Sequence, residues 1–188
     1  MAPHTPAPGT AWLNTAGTGQ VRRALLGVCA SGAWADAVLR GRPYPDAEGV
    51  LAAADAALAA LGADGLAEAL AGHPPIGRPA PGDPVSAREQ RGMAGAGPGL
   101  RAEMLRLNLA YQEKFGHVFL ICATGLSAEQ LRDAARTRLG NPPETEREIV
   151  RTELGRINRI RLLGLLRTAP GQPPAPDPPP SPAEGPSR

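Results

Sequence analysis

Of the chain's three histidines, one falls in "LAGHPPIGRP" (70–79), where two prolines and a glycine break off a run of alanine and leucine. Imidazole changes charge near neutral pH, and Pro74 and Pro75 remove backbone freedom beside it, so the pattern suits His73 as an acid/base group on a stiff turn. A histidine in a plain surface turn fits the same spacing. "SAREQ" (86–90) reads first as a capping box, with Ser86 as N-cap and Glu89 at the third helical position. In the second reading Glu89 and Gln90, presented from a helix start near the proline loop, face His73, and the carboxylate sets the charge of the imidazole. Further on, Val150, Leu154, Ile157 and Leu165 form an apolar stripe at 3.6-residue spacing that also contains Arg161. An arginine there either snorkels to water or offers its fork to a carboxylate. "KFGHVF" adds Lys114 and His117 beside an apolar segment whose N–H groups could serve a planar polar ligand if no sheet uses them. The plainer reading is a helix C-terminus with a favourable lysine.

Other chemistries lose their usual signals. His4 lies near the N-terminus, and neither H-E-x-x-H nor a cysteine pair joins His73 and His117, so no metal site is expected. There is no Walker motif, no G-x-G-x-x-G after a strand and no G-x-S-x-G elbow; "GMAGAGPG" is a glycine-rich stretch of low specificity. Cys29 and Cys122 both sit in apolar surroundings, which reads as reduced core thiols in a cytosolic protein. With 20 basic and 18 acidic residues the formal charge is +2, too small to predict nucleic acid or an anionic membrane as partner. No apolar stretch approaches the length of a membrane span, and the start does not read as a signal peptide.

The elements that must position these residues read as helices. Aromatic residues make up only 3% of the chain, and alanine, leucine and arginine abound, which favours helix over strand. At 188 residues a single all-α domain is expected, over 11–168, between disordered tails at 1–10 and 169–188 that are rich in proline and small residues. Two short helices meet at "ASG" within 19–39; Asp46 caps a helix running towards Gly62; a short helix covers 65–71, and the proline-rich loop follows. "GLRAEMLRLNLAYQEKFG" is a long helix ended by Gly116. "HVFLICAT" alone reads as β, and is short enough to be a buried extended connection. Ser127 and Gln130 form a capping box for the next helix, and a last one spans about 143–166.

"HPPIG", "SAREQ" followed by Gly92, "LNLAYQEKFGHVFLICATG", "RLGN" with Glu144 and Glu146 behind it, and "ELGRINRIRL" resemble, in order and spacing, the decarboxylases of 2-oxo-4-hydroxy-4-carboxy-5-ureidoimidazoline (OHCU). "CASGAWADAVLRGRPY" is similar to their first helices, so the likeness runs from about Leu13 to Leu166. It implies an all-α, cofactor-independent enzyme of purine breakdown that follows urate oxidation and hydroxyisourate opening and yields (S)-allantoin and CO2. Carried over by motif, His73 is the catalytic histidine and Glu89 its acidic partner, beside Gln90 and Ser86. Pro74, Arg161 and the stretch with Phe119, Leu120 and Ile121 line the substrate site. Many relatives have phenylalanine and proline at the positions of His117 and Val118, which argues against an essential His117. The ending "PSR" lacks the S-K-L address of peroxisomes, so cytoplasm is expected. A small molecule is the expected partner, with a homodimer left open. The rival readings are a non-catalytic ligand-binding module of the same fold and a decarboxylase of a related ureido or hydantoin compound. For the proline-rich end, a solvated tail is favoured over an SH3-type ligand.

Overall fold

The computed structural model describes residues 8–78 and 88–169. Helices α1 (Pro8–Thr15), α2 (Thr18–Val28), α3 (Gly32–Arg40), α4 (Ala47–Ala59) and α5 (Ala63–Ala71) precede the proline loop. After it come the helical residues Arg88 and Glu89, a 3-10 turn (Arg91–Met93), then α6 (Pro98–Phe115), α7 (Ala128–Arg138) and α8 (Pro143–Thr168). The domain is all-α, and among the described residues there is no strand. The local signals act where the sequence places them. The Ser31 hydroxyl accepts the Trp34 N–H at 3.3 Å and starts α3 directly after α2. Asp46 accepts the Gly49 N–H at 2.8 Å, and Ser127 with Gln130 closes both bonds of a capping box on α7. Each satisfies an amide that a helix start would otherwise leave without a partner.

One boundary and one buried stripe differ from expectation. Pro8, Gly9 and Thr10, counted with the N-terminal tail, belong to α1, and Thr10 is fully buried. The bare Gly9 serves a close helix crossing, because a Cβ there would collide with the Leu166 carbonyl of α8. On α8 the stripe of Val150, Leu154 and Ile157 is buried as expected, but Leu162 and Leu166 carry it on, while Leu165 is only partly buried.

Apolar side chains gather in two cores. The larger joins α1–α5 to α8 around Trp34, Leu25, Val50 and Leu154; the smaller lies between α6 and α7 around Met104, Tyr111, Leu131 and Phe119. The stretch from Phe119 to Ala123 runs between them as extended chain. Phe119, Ile121 and Ala123 turn to the smaller core, Leu120 and Cys122 to the larger. Side chains of extended backbone point alternately to opposite sides. Burial on both sides therefore produces the strand-like composition of "HVFLICAT" without any neighbouring strand.

Candidate active site

α5 ends at Gly72, and the chain turns at once: the His73 N–H donates to the Leu70 carbonyl at 3.0 Å. His73 is 7% exposed. Its pKa falls from 6.5 to about 4, chiefly because burial disfavours the charged ring and then because of the Arg161 guanidinium, with Glu89 pulling the other way. At neutral pH the imidazole is uncharged and free to accept a proton. The loop behind it is stitched by Gln90, whose Oε1 accepts the Gly77 N–H at 2.8 Å while Nε2 donates to the Pro75 carbonyl at 3.3 Å. Gly77 has φ +83°, a conformation that disfavours other residues. Asn108 of α6 closes the loop from below by donating to the Ile76 carbonyl at 2.8 Å.

Arg161 reaches in from α8 and forms a two-pronged pair with Glu89: Nε to Oε1 and Nη2 to Oε2, both 2.8 Å. Its third arm donates to the Val28 carbonyl at 3.2 Å. Both side chains are largely buried, at 12% and 15% exposure. The fork therefore does meet a carboxylate, one supplied by the chain itself, and Glu89 acts on His73 through space and through this pair.

His73, Pro74, Ile76, Glu89, Gln90, Ile157, Ile160 and the segment from Phe119 to Thr124 surround one cleft, with about 420 Å³ of empty space including its open mouth. Among the described residues, only the Cys122 N–H, of those from Phe119 to Thr124 that face no helix of their own, meets a side-chain acceptor, Glu153 Oε2 at 2.8 Å. Ser86 lies outside the described residues. His117 is not among the cleft residues; its ring lies beside Tyr111 and Phe115. Lys114 sits in the last turn of α6, as the plainer reading has it, and also donates to the Leu139 and Asn141 carbonyls at the end of α7 at 2.7 and 2.9 Å. Among the described residues no three His, Cys, Asp or Glu side chains converge to hold a metal ion, and no single helix is long and apolar enough to cross a membrane.

Behind the cleft wall stands a polar cluster that sequence reasoning missed. Glu146 is fully buried and accepts from Arg138 Nε at 2.8 Å, from Asn141 Nδ2 at 2.7 Å and from the Tyr111 hydroxyl. Burial opposes its ionisation, but these three donors outweigh that and hold its pKa below the ordinary carboxylate value. Arg138 also donates to the Leu120 carbonyl at 2.8 Å and lies 4.8 Å from the centre of the Phe119 ring. The available signal was the one that exposed Arg161, a charge on an apolar stripe: Arg138 follows Leu131 and Ala135 on α7, and Glu153 stands between Val150 and Ile157 on α8.

An all-helical domain that buries a neutral imidazole beside an acid–arginine pair, with His73 and Glu89 lining a small apolar-walled cleft and Arg161 behind Glu89 and not among the lining residues, has the makings of a helical enzyme. Comparison with known proteins makes this specific. A family model described as OHCU decarboxylase matches residues 14–163, and the chain belongs to the OHCU decarboxylase family; it is a decarboxylase. It is 30% identical over 139 residues to 2-oxo-4-hydroxy-4-carboxy-5-ureidoimidazoline decarboxylase of Amia calva, covering 71% of this chain and 79% of the relative. The uric acid degradation bifunctional protein TTL of Arabidopsis thaliana is 26% identical over 73% of this chain, which spans 44% of that longer protein. A crystal structure of an OHCU decarboxylase in the presence of (S)-allantoin superposes with TM-score 0.67 at 25% identity, over 75% of this chain and 95% of the other. An (S)-allantoin synthase has the same fold, with TM-score 0.66 at 18% identity over 83% and 53%.

Proposed function

We propose that this decarboxylase acts on OHCU, releasing CO2 and forming (S)-allantoin, with His73 as its acid/base group. The observation that carries the reading is the uncharged His73 at the cleft, flanked by the Glu89–Arg161 pair. In OHCU the departing carboxylate sits on a carbon next to a ring C=N. When the bond to CO2 breaks, its electron pair flows into that imine, so the substrate supplies its own electron sink. His73 takes the proton of the hydroxyl on the same carbon. The hydroxyl ends as a carbonyl, the ring nitrogen and the neighbouring carbon end protonated, and one proton is taken up for each CO2 released. Protonation of that neighbouring carbon from one side gives the S product.

The other residues bind and orient. Arg161, held by Glu89 and the Val28 carbonyl, meets the polar edge of the ring, and the amides of Phe119, Leu120 and Ile121 meet its carbonyl and ureido groups. Gln90 and Pro74 keep the His73 loop in place, and the reading counts Ser86 with the residues that bind substrate. The test is circular dichroism of product over time, with the protein added to urate, urate oxidase and hydroxyisourate hydrolase. A rapid, lasting (S)-allantoin signal is expected. His73→Ala should reduce it to the uncatalysed rate with unchanged far-UV helicity. Near-normal turnover in that variant refutes the role of His73, and racemic product with the wild-type protein refutes the substrate.

A further inference from the structure

The main-chain wall of the cleft is gripped at two neighbouring points by buried charged side chains from different helices. Arg138 of α7 donates to the Leu120 carbonyl, and Glu153 of α8 accepts the Cys122 N–H, each at 2.8 Å. Neither gripping group is loose. Arg138 is fixed by Glu146, itself held by Tyr111 and Asn141, and the second oxygen of Glu153 takes Arg156 Nη1 at 2.7 Å. Arg138 and Glu153 are 7% and 8% exposed.

We infer that Arg138 and Glu153 are positioning residues that clamp 120–122 from both sides, so that the amides of this wall keep a fixed direction towards the bound substrate. The inference rests on the proposed reading of the cleft. Buried ion pairs are a poor route to stability, since apolar residues of similar volume often replace them at no loss. Fixing a carbonyl and an amide in direction, by contrast, needs a donor and an acceptor of defined geometry, which no apolar side chain provides. The segment has no sheet partner among the described residues to set its orientation, so the two side chains stand where a neighbouring strand would.

Glu153 is the better site to test, because removing Arg138 outright strands the buried Glu146 carboxylate and endangers the fold. Glu153→Met removes the acceptor and keeps the volume; Glu153→Gln keeps an oxygen that accepts the Cys122 N–H. Amides that bind non-reacting groups of the substrate contribute equally before and in the transition state, so loosening them raises KM more than it lowers kcat. The expected result for Glu153→Met is a KM roughly tenfold higher with kcat changed little, most of which Glu153→Gln restores. Arg138→Lys, which keeps the charge but loses the fork spanning Glu146 and Leu120, should raise KM in the same way. A purely structural role would lower apparent kcat through a smaller folded fraction and leave KM alone. An unchanged KM in Glu153→Met overturns the inference. Wild-type protein that makes no (S)-allantoin above background refutes the substrate reading instead. Amide hydrogen exchange across 118–124 then decides the clamp, with faster exchange in Glu153→Met supporting it and unaltered exchange overturning it.

Discussion

His73 sits between opposite influences, and burial decides the outcome. Desolvation disfavours the imidazolium, Arg161 adds to that, and the opposing pull of Glu89 is the weakest of the three, which brings the pKa to about 4. The same shift makes stability depend on pH. In the unfolded chain His73 binds a proton near pH 6.5, whereas the folded protein resists doing so until about pH 4. Between these values the unfolded state holds more protons, so the stability due to His73 is complete above 6.5 and is lost as pH falls towards 4. The gap corresponds to about 3 kcal/mol at most, by the conversion of pKa shifts to free energy. Denaturant unfolding of the wild type and His73→Ala at pH 7 and pH 4.5 should therefore show a steeper acid loss in the wild type. Parallel losses would mean that the imidazole titrates normally in the fold. The functional counterpart is that the base stays available well below pH 6.5, so the His73 contribution to the acid limb of kcat/KM should lie near pH 4.

The elements bring these residues together through close approaches as much as through side-chain bonds. Gly92, in the 3-10 turn directly after Glu89 and Gln90, packs so near the following chain that a Cβ would stand 2.0 Å from the Leu126 carbonyl oxygen. That obstacle is backbone, which cannot swing aside as a side chain would. Gly92→Ala should push the turn away from 126–127 and carry Glu89 off Arg161 and Gln90 off the Gly77 loop. Activity should fall at least tenfold while most helicity remains, because the larger core does not touch this turn; full activity would show that the turn moves freely without the site. How much of this the sequence reveals follows the range of the interaction. Caps at Asp46 and Ser127, the break before α3 and the stiffness around His73 are local and legible. The partner of Arg161 is not, since Glu89 lies 72 residues away and no local pattern encodes that distance. "HVFLICAT" looks like strand because alternation records burial on two sides, and it cannot say whether the cover is another strand or two helical cores. α1 hides its first turn for a related reason: Gly9 is small in order to touch α8, and small residues near a terminus read as tail.

On the scale of the molecule the cleft lies where the two cores meet, and α8 with the 119–123 segment joins them. α8 packs against α1, α2 and α4 while its Glu146 anchors Tyr111 and Arg138 of the smaller core. A site built across a seam needs both halves folded at once, and α8 spans that seam, buried against the larger core while its Glu146 carboxylate is held by Arg138 and Tyr111 of the smaller. The two cores should therefore unfold together. Both tryptophans of the chain, Trp12 and Trp34, belong to the larger core, so their fluorescence reports on that half alone, whereas far-UV circular dichroism counts α6 and α7 as well. Leu131 is fully buried in the smaller core. Leu131→Ala should cost about 2–5 kcal/mol, as cavity-forming substitutions of buried leucine do, and should lower the midpoint seen by tryptophan as much as that seen by dichroism. If dichroism fell first and tryptophan followed at its wild-type midpoint, the smaller core would be an independent unit. The cleft would then lose the support that α6 and α7 give to the 119–123 wall and, through Asn108, to the His73 loop, while Arg161 and the larger core stayed folded.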